Sequence, residues 1–103
     1  MMARMWRGWT RAADAGIYEQ HYREDVLAHL TELPGFRGAR LVRRTVGAET
    51  EFLSLTVFDS LEDVRAFAGR DYERAAVAEP ARRVLVRYDK RVTHYTITVE
   101  NWS

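Results

Sequence analysis

Residues 50–69, TEFLSLTVFDSLEDVRAFAG, decide the fold, because they run from a strand directly into a helix. In LSLTV (53–57) every second residue is apolar, which is the period of a strand with two different faces. The DSLED segment at 59–63 supplies hydroxyl and carboxylate groups for a helix N-terminus. An apolar helical face follows, and Gly69 is placed to end the helix. A central strand joined tightly to a helix is half of a split β-α-β unit.

Around this unit, the periodicity predicts three further strands and a long first helix: strands over 3–9, 36–45 and 91–99 and a helix over 12–30. Residues 70–89 are the least regular, and 71–77 and 81–86 each predict a short helix. The order β-α-β-β-α-β predicts an α+β, ferredoxin-like fold, in which two helices cover one face of a four-stranded antiparallel sheet. The length predicts a single domain over 1–103.

The predicted sheet carries large or apolar side chains on both faces. Trp6 and Phe52 point to one face, whereas Met5, Trp9 and Leu53 point to the other. Two helices on one side leave the second face bare, and an apolar face of this size is rare in a soluble monomer. We therefore expect a homodimer in which two sheets pack face to face, with Trp9 in the interface.

Composition excludes several classes of partner and chemistry. The 16 basic and 15 acidic residues nearly cancel, which argues against binding to nucleic acid or to an anionic membrane. The absence of Cys excludes disulfides, thiolate catalysis and Cys-based metal sites. No apolar run reaches about 18 residues and the N-terminus lacks the apolar core of a signal peptide, so we expect no membrane partner and a cytoplasmic location. Phosphate-binding and serine-hydrolase motifs are also absent.

Six segments spread over nearly the full length share a pattern with a known family: ARMWRG (3–8), PGFRG (34–38), EFL (51–53), DSLE (59–62), RAFAG (65–69) and VTHY (92–95). Together they resemble the antibiotic-biosynthesis-monooxygenase-like family, whose members form dimeric α+β barrels. The resemblance implies a monooxygenase that oxidises an aromatic or polyketide-like small molecule, without a cofactor, in a pocket between sheet and helices.

Two alternatives to this reaction stay open. Haem-degrading relatives place an Asn in the first strand, a Trp in the second helix and an iron-binding His after that helix. Trp6 and Phe67 stand at the first two positions here, and residues 70–89 contain no His, although Tyr72 offers a substitute ligand. We therefore expect no cofactor and keep haem binding and degradation as one alternative. The other is a non-catalytic dimer that binds a small ligand or serves as a structural partner.

The resemblance singles out His94 and Trp6 as catalytic residues. His94 lies on the last predicted strand, where it can meet Arg4 or Trp6 of the first strand and act as a general base towards a phenolic or enolic substrate. A purely structural histidine is the alternative. Trp6 and Phe67 are expected to form aromatic walls around a flat substrate, or else to pack as ordinary core residues.

The remaining substrate-binding candidates are Arg4, Tyr72 and Arg43. Arg43 belongs to a run of arginines in the second strand, most of which we expect to be solvated and paired with acidic residues such as Glu49 and Glu51. One of the run can reach the cavity and hold an anionic oxygen, the role expected of Arg43.

The first helix contains two further histidines. His21 and His29 are eight residues apart, not the four that a metal pair on a helix needs. We therefore expect no metal site and interpret both as residues at the boundary of the core.

Overall fold

Five strands within residues 1–101, the residues that the computed structural model describes, form one antiparallel sheet. The strands are β1 (Met2–Arg11), β2 (Phe36–Val46), β3 (Glu49–Phe58), β4 (Leu85–Tyr88) and β5 (Thr93–Thr96). Their order is β2-β3-β1-β4, and β5 also pairs with β1. The α-helices are α1 (Ala15–His21), α2 (Leu27–Leu30), α3 (Leu61–Ala68) and α4 (Glu79–Arg82). The predicted ferredoxin-like α+β arrangement is confirmed.

The predicted helix over 12–30 is present, but it is not uniform. It opens with a 3₁₀ turn (Ala12–Asp14), and a π-helical turn (Tyr22–Val26) separates α1 from α2. Tyr18, Tyr22 and Leu30, which the helical period places on one face, are all 5% exposed or less, whereas Ile17 is 55% exposed. The π-helical turn was not predicted, because apolar periodicity does not reveal a one-residue widening of the helix.

The β3–α3 unit forms as the sequence predicts. Ser60 is the N-cap of α3, and its side-chain oxygen accepts a hydrogen bond from the backbone N–H of Asp63. Gly69 ends the helix with a φ of 88°, a conformation that glycine adopts at little cost. The hydrogen-bonded cap and the glycine stop therefore fix both ends of the helix that lies on the sheet.

The last strand predicted over 91–99 is present but shorter, as β5 (Thr93–Thr96). A further short strand, β4, was not predicted and also lies beside β1: β5 pairs with Met2–Met5 of β1, whereas β4 pairs with Gly8–Thr10. Between them the chain leaves the sheet and bonds elsewhere: the N–H of Ala75 donates to the carbonyl of Lys90, and the N–H of Val92 donates to that of Glu73. This pairing satisfies the backbone groups that would otherwise continue one strand.

The two short helices predicted over 71–77 and 81–86 do not form as expected. Residues 71–77 form turns and an isolated bridge between Arg74 and Arg91 instead of a helix. Residues 81–86 are helical only at their start, because α4 ends at Arg82 and β4 begins at Leu85.

The two faces of the sheet differ as expected. Phe52 and Phe58 are buried in clusters to which α1, α2, α3 and α4 contribute Tyr18, Leu30, Val64 and Ala81, respectively. The opposite face, called here the open face, carries Trp9, Leu53, Leu55, Val42 and Tyr95. Val42 and Tyr95 are 50% and 55% exposed, so within residues 1–101 part of this apolar face is left uncovered. Among residues 1–101, no helix has both the length and the apolar character needed to cross a membrane.

Candidate active site

A cavity of about 290 Å³ lies between the sheet and the helices. Its lining includes Arg4 and Trp6 from β1, Ser54 from β3, Phe67 from α3, and Tyr18 and His21 from α1. Strand alternation brings Arg4, Trp6 and Ser54 to this side, because they share the face of the sheet that the helices cover. Three of the residues expected at the site, Arg4, Trp6 and Phe67, are thus brought together.

Arg4 is the cationic group of the cavity. Its Nη1 donates to the carbonyl of Tyr72 at 2.6 Å and lies 3.0 Å from Nε2 of His94. The guanidinium carbon lies 5.6 Å from the centre of the Phe67 ring. Burial lowers the pKa of Arg4 to about 10, so the group remains charged at neutral pH. Within residues 1–101 no carboxylate pairs with it, and its Nε and Nη2 have no hydrogen-bond partner.

His94 lies behind Arg4 and is not part of the cavity lining in the described chain. A guanidinium can only donate hydrogen bonds, so Nε2 of His94 accepts from Arg4 and the ring proton sits on Nδ1. That Nδ1 is buried and has no partner among the described residues. Burial, together with the charge of Arg4, lowers the pKa of His94 and favours the neutral ring. The expected meeting of His94 with Arg4 is therefore present, but its basic nitrogen is occupied by Arg4 and does not face a substrate.

Trp6 forms one wall of the cavity. Its indole Nε1–H donates to the carbonyl of Asp89 at 2.7 Å, and its ring centre is 6.0 Å from that of Tyr88. Gly8 makes this position possible, because a Cβ there would approach the end of the Trp6 ring to 2.8 Å. The residue is thus held in place by a backbone hydrogen bond and has no free polar atom for catalysis. Its position suits a wall better than a catalytic group.

Phe67 forms another part of the wall. Its ring centre lies 5.8 Å from that of buried Phe58 and 5.6 Å from that of His29. Tyr72 does not line the cavity in the described chain, although its carbonyl accepts a hydrogen bond from Arg4 and its ring centre lies 5.2 Å from that of His94 in a T-shaped arrangement. Tyr72 therefore contacts Arg4 and His94 outside the cavity lining.

Two tyrosines supply neutral hydroxyl groups to the cavity. Tyr22 shares a 2.9 Å hydrogen bond with Ser54, whereas the Tyr18 hydroxyl has no hydrogen-bond partner within residues 1–101. Burial raises the pKa of both tyrosines, and the proximity of Tyr22 raises that of Tyr18 further. Both therefore stay protonated at neutral pH and can donate to a ligand oxygen.

His21 and Asp25 were not expected at the site, yet both line the cavity. Nδ1 of His21 lies 2.7 Å from a carboxylate oxygen of Asp25, and the His21 side chain is only 9% exposed. The sequence does contain a signal for this pair, because a histidine and an aspartate four residues apart on one helix are neighbours on its surface.

Arg43 lies outside the cavity as the structure describes it. Its side chain is on the helix-covered face but at the β2 edge of the sheet, where it pairs with Glu19 at 2.9 Å and remains half exposed. The salt-bridged character predicted for the arginines of β2 is confirmed for Arg44, which pairs with Glu51 at 3.0 Å. Glu49 instead pairs with Arg87 at 2.8 Å.

The described part of the chain contains no cluster of three or more His, Cys, Asp or Glu side chains that could hold a metal ion. The site thus combines one unpaired cation, aromatic walls, neutral hydroxyls and a carboxylate-bonded imidazole.

Comparison with known proteins identifies the family. The family model described as antibiotic biosynthesis monooxygenase matches residues 1–79, a stretch that includes β1, β2, β3 and α3. The chain belongs to the antibiotic biosynthesis monooxygenase family. The expected resemblance is thereby confirmed. No functionally curated protein matches this family member at a significant level.

Solved structures share the fold at low sequence identity. A Bacillus cereus protein assigned as an antibiotic biosynthesis monooxygenase is 13% identical, with a TM-score of 0.67 over 100% of this chain and 98% of the other. A mutant of MhuD with two manganese protoporphyrin IX molecules in each active site is 18% identical, with a TM-score of 0.69 over the whole of both chains. The haem degrader MhuD from Mycobacterium tuberculosis, with two haems bound, is 20% identical, with a TM-score of 0.65 over 99% of this chain and 100% of the other. These likenesses establish the fold.

The cavity of this family member is small for haem. A porphyrin with its two propionates is larger than about 290 Å³, a volume at the lower end of the range of ligand pockets, so it would extend beyond the cavity. The Nε2 of His94, which could have served as an iron ligand, accepts a hydrogen bond from Arg4 instead. The cavity suits a small flat molecule better.

Proposed function

We propose that this protein is a cofactor-independent monooxygenase that binds a small phenolic or related aromatic compound in the cavity beside Arg4. The observation that carries the proposal is the position of Arg4. It is a largely buried cation that lines an aromatic cavity, and within residues 1–101 it has no carboxylate partner. A buried charge is costly unless it is paired, so this site favours a ligand that brings a negative oxygen.

The geometry of Arg4 supports an oxyanion as the missing partner. Nη1 is held by Tyr72 and His94, which leaves Nε and Nη2 to donate. Hydrogen bonds from a guanidinium to an anionic oxygen are shorter and stronger than neutral ones. A phenolate or enolate formed on the ligand would therefore be stabilised where it lies beside Arg4.

The walls of the cavity support an aromatic ligand. Trp6 and Phe67 offer ring surfaces, and the Tyr18 hydroxyl is available to orient a second oxygen of the ligand. A volume of about 290 Å³ is suited to a molecule of a few fused rings.

The reaction that we propose uses dioxygen as the oxidant. Loss of the hydroxyl proton makes the ring electron-rich enough to reduce O₂ directly. A phenol and one O₂ give a quinone and one water: one oxygen atom becomes the new carbonyl, and the other leaves as water with the hydroxyl hydrogen and one ring hydrogen of the substrate. Arg4 stabilises the anion on which this sequence depends.

A homodimer is part of the proposal. The open face exposes Val42 and Tyr95, and a second copy packed on it would remove these side chains from water. Trp9 lies on this face, with the guanidinium carbons of Arg7 and Arg87 at 5.4 and 4.7 Å from its ring. We place the protein in the cytoplasm on the sequence argument given above.

Oxygen uptake tests the reaction. Purified protein in the presence of a chelator should consume O₂ with phenols of two or three fused rings, and ¹⁸O₂ should place one labelled atom in the quinone. Arg4→Gln should reduce the rate, because it removes the charge but keeps a hydrogen-bonding side chain. Tight binding of these phenols without any uptake above buffer would favour the non-catalytic ligand-binding dimer instead.

A haem titration tests the alternative that the protein binds and degrades haem. Because the cavity is small for haem, we expect no saturable binding and no shifted Soret band. A stoichiometric Soret shift would contradict the proposed size limit and revive haem degradation, and its loss in His21→Ala or His94→Ala would identify the ligand.

A further inference from the structure

We propose that His21 and Asp25 form the general base of the cavity, with Nε2 of His21 removing the hydroxyl proton of the bound substrate. This inference rests on the proposed function, because it assigns the proton acceptor for the same ligand. His94 does not fill this role, since its Nε2 already accepts from Arg4.

The first argument is the geometry of the pair. The 2.7 Å contact joins Nδ1 of His21 to a carboxylate oxygen of Asp25. A carboxylate only accepts hydrogen bonds, so Nδ1 carries the proton, and the neutral ring presents a bare Nε2. Nε2 has no hydrogen-bond partner within residues 1–101, although His21 lines the cavity. A base oriented by a second group in this way is a recurring arrangement in proton transfer.

The second argument is the local backbone. Asp25 lies inside the π-helical turn Tyr22–Val26, which begins directly after His21. Single π-helical turns within an α-helix are rare and are frequently found at functional sites. The turn interrupts the helix at the point where it passes over the cavity, between Tyr18 and His29, which both line it.

The side chains of His21 and Asp25 also differ in their exposure to water. His21 is 9% exposed and Asp25 is 62% exposed. The carboxylate therefore retains contact with water and needs no other partner, while the imidazole is largely shielded and lines the cavity. After proton transfer, the imidazolium is balanced by Asp25 and the phenolate by Arg4.

The proton balance is simple. The O–H bond of the ligand breaks, its electron pair stays on oxygen, and the proton forms a new N–H bond at Nε2 of His21. The Nδ1–H remains donated to Asp25 throughout. No charge is created without a partner of opposite sign, because Asp25 and Arg4 are already charged before the ligand enters.

The first experiment uses the free protein. Long-range ¹H–¹⁵N NMR spectra at a pH where the rings are neutral should show His21 as the Nδ1–H tautomer. Asp25→Asn should move His21 towards the Nε2–H tautomer that predominates in water. Glu24→Gln is the matched control, because Glu24 is one residue earlier on the same helix, accepts from Gln20 at 3.2 Å and is not in the cavity lining. A wild-type His21 that is mainly Nε2–H would overturn the proposal.

The second experiment uses 4-nitrophenol, whose phenol and phenolate forms absorb at different wavelengths. At a pH below the probe's own pKa in water, wild-type protein should bind it largely as phenolate. His21→Gln should still bind it, through Arg4, but with a several-fold smaller phenolate fraction. Oxygen uptake with an active phenol should fall by about 100-fold or more in the same variant, the usual contribution of a general base.

The outcomes separate the two proposals. An unchanged phenolate fraction in His21→Gln counts against the dyad alone. A smaller fraction in His29→Gln, with His21→Gln unchanged, would move the base to His29 and also overturn the dyad. Failure of the wild-type protein to bind any of the probe counts against the proposed function, and the tautomer measurement still decides whether Asp25 orients His21.

Discussion

Nη1 of Arg4 lies 3.0 Å from Nε2 of His94, across the register that pairs these two residues of β1 and β5. The contact ties a cation to a neutral acceptor instead of a carboxylate. Its consequence for Arg4 is that the guanidinium is oriented without being neutralised, so its charge remains available to a ligand. The consequence for His94 is that a proton on Nε2 would break the contact and place two cations side by side.

Replacing His94 should change the pH dependence of stability. Burial, and then the charge of Arg4, lower the pKa of His94 below its ordinary value of 6.5. The unfolded chain therefore takes up this proton at a higher pH than the folded chain, and stability is lost as pH falls from about 6.5 through the folded pKa. His94→Gln keeps an acceptor for Arg4 but cannot titrate, so its urea midpoint should fall less between about pH 7 and 5 than that of the wild type.

Tyr95→Phe is the matched control for this measurement, since Tyr95 is next to His94 on β5 but lies on the open face. It should retain the wild-type pH dependence. Equal slopes in the wild type and His94→Gln would show that His94 does not contribute.

Removing the cap of α3 should destabilise the fold. In Ser60→Ala the backbone N–H of Asp63 loses its acceptor. The N-terminus of α3, the helix that follows the central strand, is then uncapped. We expect a loss of about 0.5–2 kcal/mol in the free energy of unfolding, measured by denaturant titration. Ser60→Asn, which retains a capping oxygen, should recover most of it; a wild-type midpoint for Ser60→Ala would contradict the cap.

Charging the open face should separate the proposed dimer. Trp9→Arg adds a third cation beside Arg7 and Arg87 and would bury an unpaired charge in a sheet-to-sheet interface. Light scattering should show monomeric or insoluble protein. Ile17→Arg adds the same charge at a 55% exposed position on the helical side and should remain dimeric. A soluble, folded dimer of Trp9→Arg would refute the placement of Trp9 in the interface.

The sequence predicted those features that depend on local patterns. Alternation in β3, the capping serine and Gly69 are readable over a few residues, and the β3–α3 unit follows them. The contact between Arg4 and His94 was also predictable, because the ferredoxin-like order makes the first and last strands antiparallel neighbours. What the strand order could not give is which nitrogen of His94 faces Arg4.

The features that were missed depend on distant partners. The last strand is shorter than predicted because residues 90–92 bond to 73–75, a pairing that no local pattern indicates. Strand alternation places Arg43 on the helix-covered face of the sheet. Its side chain pairs there with Glu19 of the first helix and does not reach the cavity in the described chain. His21 and Asp25 have a readable four-residue spacing, but their place at the site depends on the π-helical turn and on the cavity beneath it.

Binding of 4-nitrophenol to the wild type and to Arg4→Gln, followed by absorbance, tests the central claim most directly. Arg44→Gln is the control, because Arg44 is exposed, pairs with Glu51 and does not line the cavity in the described chain. The account predicts saturable binding of the phenolate by the wild type and by Arg44→Gln, and binding weaker by about 10- to 100-fold in Arg4→Gln, as expected for a lost hydrogen bond to a charged group. Equal affinity in Arg4→Gln would contradict the account, because the anion would then be held elsewhere.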